Sequence, residues 1–262
     1  MDLEIPMENY VDQLQEIDIQ KLEKLKETFQ GMEDHGTHVL MAVYLYEAIV
    51  KDDVGDLISR LVELSPSTIF HQVSASGDSL LHKAASFGSI KIAKLIIDHF
   101  PFLLTRRNVL GDTALHVAIK ARKLDVATKD NKLNVMEVLI DAYANDCEQL
   151  LQMKNNIGNT ALHEAVIAQC SLKVVKYLFS RHKEVSYYLN DAGESPLCLA
   201  IETENIEILE LLLEAPYENG RLMERPRIES PVHAAIFMKR RGIISPNFLP
   251  FYFTHFLILF MF

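Results

Sequence analysis

Residues 158–166, GNTALHEAV, occur four more times along this chain in recognisably the same form. The other copies are 77–85 (GDSLLHKAA), 111–119 (GDTALHVAI), a degraded 193–201 (GESPLCLAI) and 228–236 (IESPVHAAI). Successive starts are 34, 47, 35 and 35 residues apart, so the copies are in phase. Each opens on glycine (Gly77, Gly111, Gly158, Gly193; Ile228 in the last), where a turn needs a positive φ. Asn108, Asn155 and Asn190 stand three residues earlier, a residue type that closes such turns with its own side chain. Ser79, Thr113, Thr160, Ser195 and Ser230 follow where a helix N-cap is wanted, and Pro196 and Pro231 take the first helical position. Each unit is expected to run turn, short helix, short turn, second helix and an extended finger into the next.

A period near 33 with a T-P-L-H-x-A core resembles the ankyrin repeat. The likeness implies an all-α solenoid of about five to six helix-pair repeats with β-turn fingers. Residues 1–38 carry no repeat. Leu14, Ile17, Leu22, Leu25 and Phe29 recur there at helical spacing, as an amphipathic segment that caps the array or pairs with another helix. The array is assigned to 39–242. Its degenerate first unit places Leu45, Ala48 and Ile49 on one helix and Leu57, Leu61 and Val62 on the next. The third unit is long. Aligning its second helix from Leu133 leaves a polar insertion near 123–132, expected as a loop or helix extension. A sixth unit starts at Ser230 and stops after Ile236, and a hydrophobic tail fills 243–262.

The chain of 262 residues is 49% apolar with a formal net charge of −10, which argues against a general nucleic-acid binder. Cys147, Cys170 and Cys198 form no metal- or redox-type pair and read as reduced thiols. The acidic N-terminus lacks the apolar core of a secretory signal. The apolar run 248–262 is shorter than the roughly 20 residues of a spanning helix. It follows Lys239-Arg240-Arg241 and reads either as an anchor or as a truncated or spliced end.

The phrase P-x-L-L-x(3)-N-x-x-G-x-T-A-L-H at 101–116 resembles the plant ankyrin-repeat membrane proteins of the accelerated-cell-death type. Those join a cytosolic ankyrin array to a multi-span membrane domain carrying a PGG motif. The resemblance implies stress or defence signalling at the cytosolic face of the plasma membrane, or in the cytoplasm. No Pro-Gly-Gly occurs in this sequence. The alternative implied is the ankyrin part of a channel-like or transport protein whose membrane half is not in this chain.

His82, His116, His163 and His233 recur once per unit at the third helical position, where a ring can bond the cap hydroxyl and the finger backbone. Adjacent units stack about 10 Å apart, too far for shared zinc ligation, and Cys198 takes the same place in the fifth unit. With Gly77, Gly111, Thr113, Gly158, Thr160 and Gly193 these histidines form the structural motif. No nucleophile elbow, phosphate loop or zinc motif is present, so neither catalysis nor a cofactor is expected. What remains is a protein partner on the concave face. Its candidate contacts at the finger tips are Ser76, Arg106, Arg107, Val109, Leu110, Lys154, Asn156, Ile157 and Asp191. Val117, Glu164 and Leu199, at the x of H-x-A beside Lys83 in the second unit, are expected to point outward from the first helices. Membrane association would run through 243–262 or a further C-terminal domain.

Overall fold

The computed structural model describes residues 39–40, 43–62, 72–121, 131–142, 147–203, 205–212 and 214. The expected N-terminal helix, most of the insertion, the sixth unit with His233 and the tail lie outside them.

Helices α1 (Val43–Lys51) and α2 (Val54–Val62) form the degenerate first unit. The second is α3 (Leu80–Phe87) with α4 (Ile90–His99), and the third is α5 (Ala114–Ala121) with α6 (Asn131–Asp141). A short α7 (Cys147–Gln152) then precedes α8 (Ala161–Ile167) and α9 (Leu172–Arg181), the fourth unit. The fifth is α10 (Pro196–Glu202) with α11 (Ile206–Leu212). The starts follow local chemistry. The Ser79 and Ser195 hydroxyls accept from the His82 and Cys198 amides, and Pro196 opens α10 without wasting a donor. Gly88 ends α3 in the left-handed conformation, at φ 77°.

The first helices, α1, α3, α5, α8 and α10, stack on one another as one layer, and the second helices form the layer behind. One continuous core runs from Leu45 to Leu212. No unit could bury its apolar stripe alone, so each neighbour supplies the missing cover, worth about 1.5–3 kcal/mol per buried Leu, Ile or Val. The first unit is joined to the second by polar bonds as well. The Ser89 hydroxyl donates to Ile49 O at 2.6 Å, and Asp52 accepts from the Lys91 and Ile92 amides at 3.2 and 3.0 Å, capping α4 from outside its own unit.

Two features were not anticipated. The finger entering the second unit pairs in parallel over two residues, Val39–Leu40 with Gln72–Val73, a small departure from an all-α chain. A third helical piece also closes three of the units: 3-10 turns at Pro101–Leu104 and Lys183–Tyr187, and α7 between them. Each drives a pair of buried residues inward (Leu103 and Leu104, Leu150 and Leu151, Val185 and Ser186) and turns the chain back toward the fingers. α7 touches α6, α8 and α9, filling the outer layer where the long third unit meets the fourth.

Candidate functional site

The fingers are built as a ladder. Gly77, Gly111, Gly158 and Gly193 all adopt positive φ, between 73° and 79°. The residue before the turn glycine presents its carbonyl to the next finger. Val109 N donates to Ser76 O at 3.1 Å, Asn156 N to Leu110 O at 3.0 Å, and Asp191 N to Ile157 O at 3.1 Å. A Cβ on Gly158 would stand 2.5 Å from Asp191 N, so glycine is needed for close approach as well as for φ. Asn108, Asn155 and Asn190 each accept two backbone amides of their own turn at Oδ1. Their amide groups donate backward to Asp78 (2.7 Å), Asp112 (3.0 Å) and Asn159 (3.0 Å) of the preceding unit.

The histidines run forward. His82, His116 and His163 bond through Nε2 to the carbonyls of Asp112, Asn159 and Glu194 at 2.9, 3.0 and 3.1 Å. A carbonyl only accepts, so Nε2 carries the proton. Nδ1 then accepts from the cap amide and hydroxyl of Ser79, Thr113 or Thr160. Burial lowers the pKa of all three rings, that of His163 to about 4, so each is a neutral strap between units at pH 7.

Beside the fingers, Lys83 on α3, Lys120 on α5 and Glu164 on α8 are cancelled in place. Lys83 meets Asp78 at 2.9 Å. Burial alone would raise the Asp78 carboxyl, but bonds from Ser76, Asn108 and Lys83 outweigh it and hold it at about 2. Lys120 reaches both Asp112 oxygens at 2.8 Å and Glu164 at 3.3 Å. Glu164 is therefore a correction. It is 6% exposed, because Lys120 of the previous unit and the amides of Asn155 (2.9 Å) and Asn159 (3.0 Å) draw its carboxylate inward. Leu199 is another. It is 7% exposed, because the apolar surface of α10 (Leu197, Leu199, Ala200, Ile201) extends nearly all round the helix. Val117, at the same register, is half-buried.

Of the tip residues, Val109, Leu110 and Ile157 are 68%, 59% and 60% exposed, and Arg107 and Asp191 are exposed beside them. Arg106 is half-buried. Ser76 and Asn156 are exposed but bonded, to Asp78 and to Val109 O, and the half-buried Lys154 donates to Leu189 O at 2.7 Å. These three are parts of the ladder. Residues not anticipated are the exposed apolar Tyr46, Phe87 and Ile167 on the first helices, with Tyr46 edge-on to Phe87 at 5.1 Å. Phe87 and Ile167 lie one turn beyond the x of H-x-A, so extending that stripe by three or four residues would have found them. Among the described residues no group of His, Cys, Asp or Glu is placed to hold a metal ion, and no helix is long and apolar enough to cross a membrane.

The profile of the family described as ankyrin repeats (3 copies) matches residues 45–129 and 124–224. An ankyrin repeat protein of fowlpox virus (strain NVSL) is 29% identical over 161 residues, 60% of this chain and 43% of that protein. Protein ACCELERATED CELL DEATH 6 of Arabidopsis thaliana is 31% identical over 184 residues, 66% of this chain and 27% of the plant protein. Ankyrin repeat and KH domain-containing protein mask-1 of Caenorhabditis elegans is 33% identical over 138 residues, 52% of this chain and 5% of the relative. The chain thus spans less than half the length of each of these relatives.

Proposed function

The chain belongs to the ankyrin-repeat family, and from that premise we propose that it is a non-catalytic protein-binding module whose partner docks on the finger tips and the groove beside them. Ankyrin repeats are in general protein–protein interaction modules. The observation that carries the reading is the exposed apolar row of Val109, Leu110 and Ile157 on fingers that are hydrogen-bonded to one another. Arg107→Glu with Leu110→Glu is expected to weaken capture of the cellular partner about tenfold or more while far-UV helicity stays native. Undiminished capture by that variant overturns the assignment of the face.

A role in plant stress or defence signalling is supported by likeness to the Arabidopsis protein alone. Because the match covers 27% of that protein, a second reading makes this chain the cytosolic ankyrin part of a multi-span membrane assembly. A transcript running on past Arg241 into a PGG motif and apolar spans supports the second reading; a native product ending at Phe262 removes it. The division proposed from the sequence, a segment 1–38, an array 39–242 and a tail 243–262, is compatible with either reading.

A further inference from the structure

We propose that the occupant of the finger ridge is a partner α-helix that presents apolar residues seven positions apart and is acidic at one end and basic at the other. This rests on the protein-binding reading above and names the partner class. Leu110 and Ile157 hold the same place on successive tips, each immediately before its turn glycine, and both are exposed. Successive units repeat at the spacing of packed helices, about 8–10 Å. Along an α-helix, residues i and i+7 share a face about 10.5 Å apart, matching that repeat. Along an extended strand, same-face residues recur at about 6.8 or 13.6 Å and fall out of register.

Charge fixes the ends. Lys83 is cancelled by Asp78, Lys120 by Asp112 and Glu164, and Lys154 is committed to Leu189 O. Arg107, two residues before Val109, is exposed and makes no ion pair among the described residues. Asp191, on the tip following Ile157, is likewise exposed without an ion pair among them. A docked helix therefore meets a cation at one end of the apolar pair and an anion at the other, which orients it.

Fluorescence anisotropy on the full chain tests this with a synthetic helical peptide carrying two leucines seven residues apart, Glu at one end and Lys at the other. The control peptide has one leucine moved two positions, onto another face. The first peptide is expected to bind about tenfold more tightly than the control. Leu110→Glu and Ile157→Glu should each cost about tenfold, and Arg107→Glu should lose affinity that a peptide with its Glu changed to Lys restores. Equal binding of the two peptides, no measurable binding, or indifference to all three variants overturns the helix. If the Arg107→Glu, Leu110→Glu double variant still fails to capture the cellular partner, the protein-binding reading survives that loss.

Discussion

Protonating His163 would set a second N–H against the Thr160 amide that now donates to its Nδ1, and the ring is fully buried, out of reach of the solvent that would stabilise the charge. The folded chain therefore binds that proton less readily than the unfolded chain, whose histidines titrate near 6.5. Below that pH the unfolded state holds more protons, so stability is complete above about 6.5 and is lost as pH falls toward about 4. His163 alone should account for roughly 3 kcal/mol across that window, and His82 and His116 shift in the same direction. Asp78 acts lower down, because its contribution is present above its unfolded value and disappears only as pH falls toward about 2. Urea melts should show a midpoint that is level from pH 7.5 to about 6.5 and falls from there to pH 4.5. His163→Gln should be weaker at pH 7.5 but flatter with pH, and a variant as steep as the parent would remove His163 from the account.

At the scale of the finger, glycine is demanded most strongly where the next finger comes closest. A Cβ at Gly158 would meet backbone nitrogen at 2.5 Å, whereas at Gly77 the nearest backbone atom, Val109 N, is 3.1 Å away. Both positions carry the left-handed strain of about 1–3 kcal/mol, so Gly158→Ala should lower the thermal midpoint further than Gly77→Ala. Equal losses would mean that φ alone matters. The turn, the cap and the first helix of each unit were readable because each rests on residues close in sequence. The third helical pieces were not, since Leu103-Leu104, Leu150-Leu151 and Val185-Ser186 share only a short inward pair, and their coiling comes from packing. Glu164 was misjudged for a related reason. Its position looks like that of Lys83 along the chain, but Lys120, which turns it inward, belongs to another unit.

Across the molecule the straps are uneven. Histidines link the second unit to the third, the third to the fourth and the fourth to the fifth, while Tyr46 and Cys198 hold the corresponding place in the first and fifth. Hydrogen exchange should therefore find α3 through α10 opening as one slow block, with α11 exchanging earlier. The third unit is the longest, with 47 residues separating its glycine from the next, yet the finger bond across it is 3.0 Å, against 3.1 Å across units of 34 and 35. Alignment is thus kept on one edge of the stack while length varies on the opposite edge. A reporter domain or epitope grafted between α5 and α6 is therefore expected to leave the finger-to-finger bonds undisturbed.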